Sequence, residues 1–84
     1  MTQLETIKQV YRVDRKEISF LRFIFEGYDG IGVIKTIDPQ KGVICLYIPP
    51  GCEHDAEMIL KDLKTEIMIE RLPIESFTGS ELEL

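Results

Sequence analysis

The apolar residues of this chain switch between period-two and period-3.6 spacing in the order strand, helix, strand, strand, helix, strand. That order limits the fold more than any other feature does. A strand is apolar on one face and a helix along one stripe, so each needs another element to bury it. With 84 residues there is room for a single sheet and its helices in one domain.

Thr6 to Val13 alternates, with Ile7, Tyr11 and Val13 on one side and Lys8, Val10 and Arg12 on the other, which predicts a half-buried strand. Asp14 offers an N-cap and Glu17 a capping-box partner, so a helix is expected from about Arg15 to Tyr28. Gly27, Asp29 and Gly30 supply the residues that helix ends prefer. Ile18, Leu21, Ile24, Phe25 and Tyr28 form the buried stripe of this helix, and Phe20 and Phe23 fall outside it.

Ile31 to Asp38 and Gly42 to Ile48 read as a hairpin around Pro39-Gln40-Lys41-Gly42. With Asp38 opposite Val43, the spacing puts Ile37 beside Ile44, Lys35 beside Leu46 and Val33 beside Ile48. Pro49-Pro50-Gly51 ends the strand, since neither proline can donate a ladder hydrogen bond. Ala56, Ile59, Leu60, Leu63 and Ile67 then recur at helical spacing behind an acidic first turn of Glu53, Asp55 and Glu57. Ile67 to Leu72 reads as a last strand stopped by Pro73. Residues 1–73 are expected to form the domain, and the acidic residues 74–84 a C-terminal tail or an extra edge strand.

This element order is that of an α+β, ferredoxin-like split βαβ plait (βαββαβ), with both helices on one face of a four-stranded antiparallel sheet. The other face should then carry Val10, Arg12, Ile34, Thr36, Val43, Cys45 and Tyr47, joined by Met68 and Glu70. Contiguous apolar surface of that extent marks an interaction site, so a homo-oligomer or a protein partner docked on this face is expected. A tail folded back with Ile74 and Phe77 over the face is the alternative. Phe20 and Phe23 form a second candidate surface, either tucked at the margin of the helix stripe or docking a partner.

With Lys+Arg at 10 against Asp+Glu at 15 and a net charge of −5, the chain repels a phosphate backbone. Lys41 to Ile48 lies where an RNA-recognition module of this fold keeps its aromatic octamer, but Val43 and Cys45 stand where the stacking rings belong. No nucleic-acid partner is expected. The apolar runs are too short to cross a membrane and the N-terminus has no secretion-signal pattern, so a cytoplasmic location with reduced Cys45 and Cys52 is the expectation.

One histidine and two cysteines are too few for a zinc site, and no metal or cofactor is expected. Cys52 with His54 at the start of the second helix is the one candidate for a thiol enzyme or a redox protein, against its reading as an exposed helix cap with an incidental cysteine. Gly27, Gly30 and Gly32 precede a strand and lack dinucleotide-loop spacing. Glu66 with Glu70, and Glu81 with Glu83, read as solvated charge.

Asp14-Arg15-Lys16-Glu17-Ile18, followed by Gly30-Ile31-Gly32-Val33, resembles the skeleton of ACT regulatory domains. That resemblance implies the same plait and an amino acid or other small-molecule ligand bound at a subunit boundary near Asp14, Arg15, Gly30 and Gly32. Glu17 stands where ACT domains have a glycine, and its carboxylate opposes that of an amino acid. Over more of the chain, Tyr11-Arg12-Val13-Asp14-Arg15, Leu21-Arg22-Phe23, Thr36-Ile37-Asp38-Pro39 and Ile48-Pro49-Pro50-Gly51 are similar to a family of short bacterial proteins catalogued only as a domain of unknown function. This second resemblance implies a stand-alone bacterial domain and no particular chemistry. The residues together point to a small non-enzymatic domain that works by association.

Overall fold

The computed structural model describes residues 6–28 and 30–83, the Tyr28 side chain excepted. The expected helix-ending role of Asp29, the place of the Tyr28 ring in the stripe, and Leu84 of the expected tail lie outside the described residues. Along the chain come β1 (Ile7–Val13), a 3-10 turn (Arg15–Glu17), α1 (Ile18–Arg22), a π-helical turn (Phe23–Tyr28), β2 (Val33–Asp38), β3 (Val43–Ile48), α2 (Glu53–Leu63), β4 (Ile69–Leu72) and a 3-10 turn (Ile74–Ser76). The strands form one antiparallel sheet in the order β2-β3-β1-β4. The architecture is α+β, two helical segments on a four-stranded sheet.

The helical segments share one sheet face. Leu21 and Phe25, four residues apart, meet Ala56, Leu60 and Leu63 of α2 over Tyr11, Val13, Ile34, Ile44, Leu46 and Ile48. Burying a side chain such as Phe25 or Leu21 is worth about 1.5–3 kcal/mol, so this layer dominates the stability of so short a chain. The Asp14 carboxylate caps the first turn by accepting the Lys16 N–H (3.2 Å). Among the described residues the Glu17 carboxylate makes no bond back to the Asp14 N–H, so only half of the expected capping box forms.

The first helix does not stay α-helical. Its wider π turn carries Glu26 over the edge strand β2, where the carboxylate accepts the Ile34 N–H (2.8 Å), and the Gly32 N–H donates to the Phe25 carbonyl (3.2 Å). An edge-strand donor that would otherwise invite another chain is thereby occupied. In α2 the pattern holds through Leu63, but Ile67 belongs to neither the helix nor β4. Its N–H donates back to the Leu63 carbonyl (2.9 Å) in the connecting turn, and its side chain packs against the core from there.

The hairpin register differs from the expected one through one extra residue. Asp38 does lie opposite Val43, but a bulge between Thr36 and Asp38 pairs Thr36 with Ile44, Lys35 with Cys45, Ile34 with Leu46 and Val33 with Tyr47. The cause is local. Asp38 Oδ1 accepts the Gln40 N–H (3.0 Å) and the Lys41 N–H (3.1 Å), which fixes Asp38 at the turn, while Ile37 joins the cluster on the opposite sheet face. Because side chains alternate along a strand, the one-residue shift moves Ile34 and Thr36 from the expected bare face to the helix-covered face. Gly42 then closes the turn at φ +73°, its carbonyl accepting the Val13 N–H (2.8 Å) at the end of β1.

Candidate functional site

The second sheet face carries Val10, Val43, Cys45 and Tyr47, as the alternation of β1 and β3 requires, but it is not bare. Residues 74–83 lie across it as a strap, with Ile74, Phe77 and Leu82 packed on those four residues together with Ile37 and Leu72. All four are buried, and Cys45 retains 0% of its exposure. Of the two arrangements the sequence allowed for this face, the folded-back segment is the one present. Met68 precedes β4 and is exposed, and Arg12 pairs with Glu70 at 2.6 Å on the rim.

Polar bonds fix the strap at its far end. The Tyr47 hydroxyl donates to the Leu82 carbonyl, and Lys35 Nζ donates to the carbonyls of Ser80 (3.4 Å) and Glu83. Within the strap, Glu81 Oε1 accepts the Thr78 N–H (2.8 Å) while the Glu81 N–H donates to Thr78 Oγ1 (3.2 Å). This reciprocal pair is a capping box built on Thr78-Gly79-Ser80-Glu81, and it shapes the turn that delivers Leu82 to the sheet. The sequence signal for it was the Thr-x-x-Glu spacing before Leu82, which a reading of Glu81 as solvated charge passes over.

Burial governs the ionisation of this face. It is the main reason that the Cys45 thiol is held above its ordinary range, against the opposing effects of the Tyr47 hydrogen bond and of Lys8 and Lys35. Tyr47 is pushed up to about 12, first by burial, then by the charge and hydrogen bond of Cys45 and the charge of Glu83. Lys8 Nζ lies 5.9 Å from the Tyr47 ring centroid, a cation–π separation. A neutral thiol and a neutral phenol under a strap are packing groups, not nucleophiles.

Phe20 and Phe23 point away from the core, 43% and 63% exposed. Ser19, Arg22, Phe23, Glu26 and Gly27 line a shallow groove of about 350 Å³ on this flank. Arg22 donates to Thr36 Oγ1 (3.1 Å) and stands 4.0 Å from Glu26, so both charges are held in place against β2.

The four positions named by the ACT resemblance are not gathered within one chain. Asp14 and Arg15 sit at the Gly42 end of the sheet, while Gly32 lies against the Tyr47 carbonyl near the other end of β3, so close that a Cβ on Gly32 would stand 3.1 Å from that oxygen. Asp14 is also engaged by Lys16, through its backbone N–H and an ion pair at 3.8 Å. Cys52 caps α2 without a side-chain hydrogen bond and is half-buried against the helix-side core, whereas His54 is exposed. Residues two apart on a helix do not face each other, so the two form no nucleophile–base pair. Among the described residues no three His, Cys, Asp or Glu side chains converge as metal ligands, and no helix is long and apolar enough to cross a membrane.

Helices over one sheet face, a strap over the other and an aromatic flank left outside define a small α+β domain with two covered faces. The chain belongs to the family described as Domain of unknown function (DUF4911), whose model matches residues 11–67. The family resemblance read from the Tyr11-to-Arg15 and Ile48-to-Gly51 stretches is thereby borne out. The match runs from within β1 to just past α2 and stops short of β4 and the strap. No curated protein and no solved structure matches the chain.

Proposed function

We propose that this domain is a ferredoxin-like split βαβ plait that acts by associating with a second copy of itself, through the Phe20 and Phe23 flank, and not by catalysis. The plait reading is supported by the β2-β3-β1-β4 order with both helical segments on one face. The docking reading rests on one observation: two aromatic rings three residues apart stay outside a core that takes up the other phenylalanines. Together they leave about 200 Å² of ring surface in water.

The flank is self-complementary. Arg22 and Glu26, 4.0 Å from each other, border Phe23 in the groove, so a two-fold axis through that ring would bring the two copies' charge pairs beside one another, Arg22 of each within reach of the other's Glu26. A standard interface takes about 800 Å² per partner, and the rings supply its desolvated centre while Ser19, Arg22 and Glu26 supply a polar rim. With Val10, Val43, Cys45 and Tyr47 under the strap and Ile34 under the helices, this flank is the largest aromatic surface left free among the described residues.

Sedimentation equilibrium tests the reading. The wild-type chain is expected to show a monomer–dimer equilibrium in the micromolar range, and the Phe20→Ser, Phe23→Ser double variant a monomer with unchanged circular dichroism. A wild-type chain that stays monomeric throughout that range sinks the proposal.

A further inference from the structure

A second feature lies on the opposite edge of the sheet, between α2 and β4. Gln9, Tyr11, Glu57, Lys61, Lys64 and Arg71 surround a cleft of about 190 Å³, floored by Leu60. Tyr11 and Arg71 are direct partners across the β1–β4 ladder, and Lys61 and Lys64 are three apart at the end of α2, so register and helical spacing bring three cations to one hollow. The whole chain has ten Lys and Arg against a net charge of −5, so this cleft opposes the overall charge. None of the three cations is in an ion pair among the described residues, although carboxylates outnumber cations.

The end of a helix favours lysines through its dipole, which accounts for Lys61 and Lys64 but not for Arg71, which sits on a different element. Donors are also in excess. The Tyr11 hydroxyl donates to Gln9 Oε1, which leaves the Gln9 amide N–H groups without a protein acceptor among the described residues. Glu57 is the single acidic group on the rim, an acceptor among donors.

The geometry points to this cleft as a binding site for a small soluble phosphomonoester, its phosphoryl group held by Lys61, Lys64 and Arg71 and a hydroxyl on its carbon skeleton bonded to Glu57. A guanidinium fork and two ammonium groups match a dianion better than a carboxylate, which carries one charge. The volume falls below the range of drug-sized pockets, so it fits a phosphoryl group with a short carbon chain and not a nucleotide. The site is independent of the Phe20 and Phe23 flank.

The test is a titration of the full chain with inorganic phosphate and with glycerol 2-phosphate, read by thermal shift and by amide chemical shifts at constant ionic strength, with chloride as the control. Saturable binding of both phosphates and none of chloride is expected, with shifts centred on Tyr11, Lys61, Lys64 and Arg71. Lys61→Gln with Lys64→Gln, both on the exposed helix surface, should weaken both phosphates at least tenfold, and Arg71→Gln should do the same. Lys41→Gln, in the hairpin turn, should change nothing. Glu57→Gln should tighten inorganic phosphate and weaken glycerol 2-phosphate relative to it. Absence of saturation, or equal binding by the Lys61→Gln, Lys64→Gln variant with its fold intact, overturns the assignment.

Discussion

Gly42→Ala is the sharpest single test of how the hairpin is locked to β1. A Cβ on Gly42 would stand 2.0 Å from the Val13 carbonyl oxygen, where real contacts do not fall below 3.0 Å, so the backbones must separate by about 1 Å. That movement breaks the Val13 N–H bond to the Gly42 carbonyl (2.8 Å), worth about 1 kcal/mol. The left-handed backbone at φ +73° costs alanine a further 1–2 kcal/mol or so, offset by about 0.4–1 kcal/mol from the stiffer unfolded chain. The net loss is about 1–2.5 kcal/mol, which lowers the melting temperature of a domain this size by about 5–20 °C. Two other glycines separate the terms. Gly30 has φ +64° with nothing within 4 Å of the place an alanine methyl would take, so Gly30→Ala should lose only the backbone cost, about 1 kcal/mol. Gly79 has neither constraint, and Gly79→Ala should stay within about 0.5 kcal/mol of wild type. Calorimetry or urea melts on the three variants give the ranking, and a Gly42→Ala chain as stable as Gly30→Ala would refute the close approach.

Two further outcomes follow from the strap and the edge strand. Tyr47 has its folded-state pKa raised from 10.0 to about 12, so its contribution is complete below pH 10 and disappears as pH rises toward 12; Tyr47→Phe should lose about 1 kcal/mol at pH 8 and show a flatter alkaline decline in urea midpoints, and an unchanged decline would mean the hydroxyl does not hold Leu82. Glu26→Ala removes the acceptor of the Ile34 N–H and should cost about 1–2 kcal/mol and speed exchange of that amide, with Glu26→Gln restoring most of the protection; an Ile34 amide that exchanges at the wild-type rate in Glu26→Ala would show the carboxylate to be a bystander.

The Phe flank was legible in the sequence because Phe20 and Phe23 fall off a helical stripe that Leu21 and Phe25 occupy. The strap was legible only as one of two possibilities, since Ile74, Phe77 and Leu82 show no helical or strand period and their burial depends on what the sheet offers them. The cation-lined cleft left no linear signal, because Tyr11, Lys61, Lys64 and Arg71 come from three elements and only the β1–β4 register and the seating of α2 bring them together. Ile34 was assigned to the wrong face for a related reason: a single bulged residue, set by the side chain of Asp38, reverses every side chain before it in β2.

By itself, then, the chain determined which segments become strands and helices, where Pro and Gly interrupt them, and which residues share a stripe. Those properties follow from local backbone geometry, which fixes spacings of two and 3.6 wherever the segment ends up. The tertiary structure alone decided the bulge in β2, the strap over Cys45 and Tyr47, and the gathering of cations beside Tyr11. Each of these depends on contacts between residues far apart in the chain, and apolar burial is non-directional, so the sequence names the surfaces that need cover without naming what covers them.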